Sequence, residues 1–396
     1  MSPPLESAAP APSHLDRVRA LTPLIAASAA EIERERRLPA ALVAAMKAAD
    51  LFRMLLPRSL GGAELDPVRF AAVIEAIAKT DASTAWVLCQ TSVAAMIAAR
   101  LDPAAAREMF PDPGSIVAWG PSTGARAVIV SGGYRVSGSF AFASGCWYAS
   151  WLGGDCAVCD PDGTPRRAAD GRPVTRRVLF PSASAQMRDV WHVIGLKGTG
   201  SDGYVVTDLF VPDRFTVSRI DDPADRRDLG HLYAVSLYSM FALGFAALAL
   251  GIARGLIDSF IELAKEKTPR GFRHSLRDDG PTQLEAGLAE ARLRAARMYL
   301  MGTIAEVWDE AQRANEVSLE RRIGIRLAAT HAIREAKDVA DAAYDAAGTT
   351  AVFNANPFER RFRDIHTLAQ QLQGRRSHYQ TVGQYLFGVD FEPGWV

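Results

Sequence analysis

Cysteine is scarce in this sequence, and neither sign of charge is in excess. The 396 residues include four cysteines, with 45 basic and 45 acidic side chains, so the formal net charge is zero. Four thiols cannot cross-link a chain of this length into a secreted disulfide scaffold. A neutral chain also lacks the overall basic field that favours nucleic acid. With 48% hydrophobic and 23% charged residues, the composition is that of a globular protein of two or three packed units.

Several catalytic signatures are also missing. The seven histidines form neither H-x-x-x-H nor H-E-x-x-H, so no metal site is predicted. Neither G-x-S-x-G nor a P-loop motif occurs, which gives serine hydrolases and P-loop enzymes no support. The start of the chain, MSPPLESAAPAPSH, lacks the basic and apolar regions of a signal peptide. We therefore expect a cytoplasmic protein.

One long uncharged stretch is present, and it raises the question of a membrane span. Residues 232–253 carry no charge over a length that could cross a bilayer. Serines and glycines interrupt the stretch, and a stripe of apolar side chains continues through it past Arg254. These features favour the buried first helix of a bundle. The stripe comprises Phe245, Leu248, Ala249, Ile252, Leu256, Phe260 and Leu263.

The hydrophobic pattern divides the chain into four parts. Residues 1–13 are rich in Pro, Ala and Ser and are predicted to be disordered, and residues 14–114 have the period of helices. Residues 115–218 contain short β-branched and aromatic stretches, with a hairpin at Ser-Gly-Gly between Val130 and Tyr134. Long helices are predicted over 219–396, with a capping box at Thr282–Glu285 and Gly348 at a helix end. This order predicts an α+β protein.

Two short motifs suggest chemistry that their context does not support. Gly198 to Gly203 matches G-x-G-x-x-G, but a strand pattern follows it where a dinucleotide-binding fold requires a helix. Cys156 and Cys159 form C-x-x-C without a second pair or a histidine cluster, so they are interpreted as ordinary core cysteines.

Six segments, taken in order, resemble the acyl-CoA dehydrogenase superfamily across nearly the whole chain. The resemblance implies an N-terminal helical domain, a middle β-barrel or sandwich domain and a C-terminal four-helix bundle. It also implies a flavin between the domains and a homotetramer. The segments are LPRSLGG (56–62), DASTAW (81–86), GSFAFASGCWYASW (138–151), GLKGTGSDGYVVTDLFVP (195–212), AGTTAVF (347–353) and NPFERRFRDIH (356–366).

The superfamily contains dehydrogenases and oxygenases, and the missing carboxylate separates them. A dehydrogenase needs a base for the α-proton. In the family this glutamate follows the Arg-Asp pair by about nine residues, where this chain has Leu372, or it lies near the first bundle helix, within the uncharged stretch. The resemblance is therefore closest to the flavin-dependent monooxygenases. These use reduced FMN or FAD from a separate reductase, dioxygen and C4a-hydroperoxyflavin chemistry on small, aromatic or heteroatom-bearing substrates.

Two alternatives stay open. One is an acyl-CoA dehydrogenase with FAD and a relocated base, such as Glu262 or Glu266. The other is a flavin-binding scaffold without catalysis.

The clustered arginines near the C-terminus could hold phosphate or form ion pairs between subunits. They are Arg360, Arg361, Arg363, Arg375 and Arg376.

The resemblance also implies roles for single residues. Ser144 would hydrogen-bond near flavin N5 and, with His366 as the nearest titratable group, would be catalytic. Trp86 and Gln371 would contact substrate. Gln371, and Ala94 or its neighbours, stand where related hydroxylases have histidines, and glutamine cannot act as a general base near neutral pH. The cofactor-binding set comprises Trp119, Ser122, Phe142, Ser144, Arg270 (or less favourably Arg273), Gly348 and Thr349, with Thr350 beside it.

Overall fold

Helices form the N-terminal part of the protein. The computed structural model describes residues 12–168, 171–218, 226–228 and 230–391. Polar N-caps start most of these helices: the side chains of Ser13, Asp66, Asp81 and Asp102 each accept a backbone N–H of the first turn. The helices are α1 (His14–Glu35), α2 (Ala40–Ala48), α3 (Pro67–Ala78), α4 (Ala82–Ala95) and α5 (Pro103–Met109). Of the stretch predicted to be disordered, residues 1–11 lie outside the described part.

The middle part is one eight-stranded mixed sheet. Its strand order is β6-β7-β3-β2-β4-β5-β8, and β1 pairs with β4. The predicted hairpin is confirmed: β2 and β3 are joined by Ser131 and Gly132, and Gly132 has φ +77°. The strands are β1 (Val117–Trp119), β2 (Arg126–Val130), β3 (Gly133–Phe140), β4 (Trp151–Cys159), β5 (Thr175–Pro181), β6 (Gln186–Arg188), β7 (Gly203–Pro212) and β8 (Thr216–Ser218).

The two misleading motifs lie in or beside this sheet. Residues 197–199 form one 3-10 turn and β7 begins at Gly203, so no helix follows the glycine motif. Cys156 and Cys159 are free thiols, both buried in β4, and burial raises the pKa of Cys156 to about 12. Neither motif therefore has the geometry of the dinucleotide or metal site that its pattern suggests.

The C-terminal part is a helical bundle of α6 (Leu237–Glu266), α7 (Gly280–Ala314), α8 (Leu319–Ala347) and α9 (Pro357–Gln370), followed by α10 (Ser377–Leu386). Ser318 caps α8, and Gly348 ends it with φ +57°. The predicted capping box is wrong: Asp279 is the N-cap of α7, and its carboxylate accepts the N–H and the hydroxyl of Thr282. Thr282 is therefore a first-turn residue and not a cap.

The uncharged stretch is a core helix. Two helical segments of the described chain, 82–99 and 237–266, are long and apolar enough to cross a membrane, but 94% and 89% of their apolar windows are buried inside the protein. Helix α6 packs on α8, α3 and α4. Its apolar stripe is buried from Phe245 to Phe260. Its hydrophobicity is thus satisfied by packing between the N-terminal helices and the bundle.

Candidate flavin site

The Ala-Ser-Gly turn lies where α4 meets the sheet. Phe142 adopts φ +53° although it is not glycine, and its side chain is 63% exposed. Gly145 has φ +81°, and a Cβ there would come within 2.7 Å of the Thr91 methyl group on α4. This tight contact fixes the turn against α4. The arrangement turns the Phe142 ring outward and leaves Ser144 buried.

The Ser144 hydroxyl belongs to a chain of four hydrogen bonds. Trp86 Nε1 donates to Ser144 Oγ over 2.9 Å, and Ser144 Oγ lies 2.6 Å from Ser201 Oγ. Ser201 Oγ lies 2.7 Å from Thr199 Oγ1, which donates to the Leu196 carbonyl oxygen over 2.9 Å. All three hydroxyl residues are at most 3% exposed. The segment 196–201 therefore holds the Ser144 hydroxyl in place through hydrogen bonds.

An aromatic layer lies on the other side of Trp86. The Trp86 ring contacts Phe245 on α6 at a centroid distance of 4.2 Å, and Phe245 stacks on Phe241 at 6.0 Å with 9° between the ring planes. Trp86 thus joins the Ser144 hydroxyl to an aromatic surface provided by the uncharged helix. We call Trp86, Phe245 and Phe241 the aromatic layer.

Exposed apolar side chains border the turn on the solvent side. Phe142 contacts Trp191 edge to face at 5.9 Å, and Val190 and Ile194 are 56% and 69% exposed. We call Phe142, Val190, Trp191 and Ile194 the apolar rim. Single exposed apolar residues are common, but several of them on the two segments that meet beside a buried polar group are typical of a ligand surface.

Asp202 holds the rim in place. Its carboxylate is buried, and Oδ1 accepts the backbone N–H groups of Val190 and Trp191, each over 2.8 Å. Oδ2 accepts Trp147 Nε1 over 2.7 Å, and the Arg37 guanidinium stacks on that indole ring. One carboxylate therefore ties the rim to the turn that carries Ser144.

Trp119 and Ser122 lie within the sheet beside this turn. The Trp119 ring is buried under the Arg177 guanidinium, which pairs with Asp155. Ser122 Oγ donates to the Asp155 carbonyl oxygen over 2.5 Å and forms a bridge with Phe140. Both residues support the strand that leads into the turn.

Three of the predicted cofactor-binding residues, Arg270, Gly348 and Thr349, form a second group at the end of the bundle. Lys267 follows α6, and its ammonium donates to the Ala347 carbonyl oxygen over 2.6 Å, directly before Gly348. Gly348 and Thr349 are exposed there, as is Arg270, three residues after Lys267. The structure thus brings the Arg270 loop and the Gly348 turn together through Lys267, a cation that the sequence comparison did not single out.

His366 lies away from Ser144 within the subunit. Its Nε2 is 2.7 Å from Asp341 Oδ1 on α8, and its ring packs on Phe362. Asp364 lies two residues earlier and so on the opposite face of α9. Its carboxylate accepts the Leu196 N–H over 2.6 Å, so it faces the segment 196–201 that holds Ser144. Gln371 Oε1 accepts the Gln373 N–H and caps a 3-10 turn. The structure therefore joins Trp86 and Ser144 but does not add His366 to them.

Two of the three arginines of α9, Arg361 and Arg363, have partners within the subunit. Arg363 binds Glu359 and Glu33, and Arg361 donates to Ser259 and to the Lys79 carbonyl oxygen. Burial and the nearby Asp81 carboxylate raise the pKa of Asp364 to about 7. These groups connect α9 to the N-terminal helices, and neither Arg361 nor Arg363 is presented as a free phosphate ligand.

The candidate bases for a dehydrogenase are far from the turn. Glu262 is exposed and pairs with Lys265. It lies 17 residues after Phe245 on α6, which corresponds to about 26 Å along the helix axis. Glu266 lies one turn further away. The alternative with a relocated base on α6 therefore has no support from the geometry within one subunit.

The residues at the turn fit an isoalloxazine ring. Its planar apolar surface suits the rim, and its ring nitrogens need a hydrogen-bonding partner, which Ser144 would supply. Among the described residues, no group of three or more His, Cys, Asp and Glu side chains could hold a metal ion. Fold and site together define a three-domain flavin-dependent oxidoreductase.

Comparison with known proteins places the chain in a family. Residues 16–112 match the family "Acyl-CoA dehydrogenase, N-terminal domain", and residues 243–374 match "Acyl-CoA dehydrogenase, C-terminal domain". The chain is 31% identical to a pigment production hydroxylase of Rhodococcus erythropolis, over 89% of this chain and 90% of the relative. It is 29% identical to the flavin-dependent monooxygenase oxygenase subunit HsaA of Rhodococcus jostii, over 89% and 92%.

A solved structure agrees with these relatives. XiaF from Streptomyces sp., in complex with FADH2 and glycerol, superimposes with a TM-score of 0.88 at 25% identity, covering 95% of each chain. This chain belongs to the acyl-CoA dehydrogenase superfamily and, within it, to the flavin-dependent monooxygenases. The resemblance inferred from the sequence, the fold class and the reduced flavin cofactor are thereby confirmed.

Sequence reasoning missed Ser201, Thr199, Asp202 and Phe245 as site residues. The first three lie in the G-T-G-S-D segment, which was dismissed as a dinucleotide motif and carried no other assignment. The signal that could have found them is three hydrogen-bonding side chains among three glycines within six residues, directly before a strand.

Proposed function

We propose that this protein is the oxygenase component of a two-component system that hydroxylates a small aromatic substrate. It would receive reduced FMN or FAD from a separate reductase. The observation that carries the proposal is the buried Ser144 hydroxyl between an aromatic layer and an apolar rim. Asp202, the carboxylate tied to the same turn, already accepts three N–H groups and is not a free base.

The aromatic layer favours an aromatic substrate. Phe241 is the half-buried member of the layer and would offer its ring to a flat apolar molecule, with the buried Phe245 and Trp86 rings packed behind it. Aromatic pairs gain about 0.5–1.5 kcal/mol beyond their buried area. Several curated relatives act on aromatic compounds, among them an indole-3-acetate monooxygenase and a resorcinol hydroxylase. The site offers no general base beside Ser144, which favours a substrate that is already electron-rich.

The chain's own residues have three tasks in this reaction. When bound, reduced flavin would activate dioxygen, so that one oxygen atom passes to the substrate and the other leaves as water. Ser144 would hydrogen-bond flavin N5, and the rim side chains Phe142 and Trp191 would exclude water from that face. Lys267 and Arg270, with the Gly348–Thr349 turn, offer cations and exposed backbone to the flavin phosphate of a neighbouring subunit.

A stripe on α7 would provide one of the interfaces of a homotetramer, the one that pairs two subunits. Its apolar and small side chains recur at alternating spacings of four and three residues and face away from the subunit's core. Such a spacing is typical of helices that pack against each other at a shallow angle. The occupant we propose is a second copy of α7. The stripe comprises Leu284, Leu288, Ala291, Ala295, Met298 and Gly302.

The assay for this proposal combines the purified protein with a flavin reductase, NADH, FMN or FAD and a panel of phenols and indoles. We expect one member of the panel to gain a single oxygen atom. If no oxygenated product forms, and an acyl-CoA instead bleaches bound FAD without oxygen, the protein is a dehydrogenase. A folded assembly that binds no flavin would indicate a scaffold.

A further inference from the structure

The four hydrogen bonds behind Ser144 can run in one direction only. Trp86 Nε1–H is a donor and never an acceptor, whereas the Leu196 carbonyl oxygen is an acceptor and never a donor. Between these two fixed ends lie three hydroxyl groups, each with a single proton. Four links require four protons, and the indole and three hydroxyls supply four.

Each proton is therefore committed. Thr199 donates to the Leu196 carbonyl oxygen, so Thr199 Oγ1 accepts from Ser201, and Ser201 Oγ in turn accepts from Ser144. Ser144 Oγ then accepts from Trp86 and keeps one free lone pair. The Ser144 proton is used in the hydrogen bond to Ser201 and is not available to a ligand. A ligand atom that reaches Ser144 Oγ meets an acceptor.

We infer that Ser201 and Thr199 are positioning residues that make the site selective for the reduced state of the flavin. The inference rests on the proposed contact between Ser144 and flavin N5. Reduced flavin carries a hydrogen on N5 and can donate it to Ser144, whereas N5 of oxidised flavin has a lone pair and would meet a second acceptor. Binding reduced flavin and releasing oxidised flavin is the selectivity that an oxygenase fed by a reductase requires.

Burial makes this polarity matter. Ser144, Ser201 and Thr199 are at most 3% exposed, so reversing the chain would place the Ser144 proton against the Trp86 N–H inside the protein. It would also remove the Thr199 hydroxyl from the Leu196 carbonyl oxygen, which would keep only the Trp191 Nε1 and Thr199 backbone N–H donors. Removing the hydroxyl of Ser201 or of Thr199 frees the Ser144 proton. Ser144 could then donate to N5 of oxidised flavin.

The test is the ratio of dissociation constants for oxidised and reduced flavin, measured anaerobically by titration with FMN and FAD. In Ser201→Ala and Thr199→Val the ratio should fall about 3- to 10-fold, the effect of one hydrogen bond. Thr199→Ser restores the hydroxyl and should restore the ratio. Thr91→Val is the matched control. Thr91 lies beside the same turn, but its buried hydroxyl donates to carbonyl oxygens of α4 and not to the chain that holds Ser144.

The outcomes separate the two proposals. A variant that merely loosens the structure would raise the dissociation constants of oxidised and reduced flavin by the same factor. Their ratio would then stay unchanged, which would count against this inference. A wild-type preference for reduced flavin that persists in Ser201→Ala and Thr199→Val would overturn this inference and leave the proposed function standing. A wild-type protein that binds neither redox state would overturn both.

Discussion

Replacing Asp364 by asparagine should stabilise this protein at alkaline pH. The carboxyl group is buried between α9 and the turn at Leu196, and its pKa is raised to about 7, chiefly by burial and then by the Asp81 and Glu33 carboxylates. Asparagine keeps an Oδ1 atom that can accept the Leu196 N–H. It removes only the charge.

The sign follows from proton binding. Between the unfolded pKa of 3.8 and the folded pKa of about 7, the folded protein holds a proton that the unfolded chain has lost. The contribution of Asp364 protonation to the free energy of unfolding is therefore complete below about pH 4. It falls by about 1.4 kcal/mol per pH unit and is gone above about pH 7. Over this window the loss is on the order of 4 kcal/mol.

The assay compares wild type with Asp364→Asn at pH 5 and pH 8. Unfolding entropy of about 2.1 cal/mol/K per residue converts 4 kcal/mol into a melting difference of roughly 5 °C for this length. We expect the variant's melting temperature relative to wild type to rise by most of that amount between the two pH values. Asp345→Asn, at an exposed position on α8, should show no such change. A melting difference that is the same at both pH values would refute the raised pKa.

Three further outcomes are expected. Ser144→Ala should lower the product formed per dioxygen consumed about 3- to 10-fold and raise hydrogen peroxide, since one hydrogen bond to the flavin is lost; unchanged coupling would remove Ser144 from the flavin. Asp202→Asn cannot accept all three of its present bonds, so flavin affinity should fall about tenfold; wild-type affinity would show that the rim does not contact flavin. Leu288→Asp should reduce the molar mass measured by light scattering, whereas Gln312→Asp on the same helix should not, and an intact assembly in Leu288→Asp would exclude the α7 stripe as an interface.

The elements of the fold were predictable where local chemistry decides them. The hairpin at Ser131–Gly132, the end of α8 at Gly348 and the burial of α6 follow from turn residues and from hydrophobic period. The start of α7 was misjudged because Asp279 and Thr282 both satisfy a capping pattern. The carboxylate is the stronger acceptor, and it binds Thr282 itself.

The site was predictable only in part, because its hydrogen bonds join distant segments. Trp86 and Ser144 are 58 residues apart, and Ser144 and Ser201 are 57 apart. No local pattern encodes such pairs. His366 is the nearest titratable group to Gln371 in the sequence, but the period of α9 directs its side chain to Asp341, on the face opposite to Asp364.

The most direct test of the central claim is a single turnover with chemically reduced flavin and ¹⁸O₂, without any reductase. The protein, pre-bound to FMNH2 or FADH2, is mixed with labelled dioxygen and the aromatic substrate identified in the panel. We predict that the product carries one ¹⁸O atom per molecule. Product that contains oxygen only from water, or complete conversion of the dioxygen to hydrogen peroxide, would contradict the assignment as a monooxygenase.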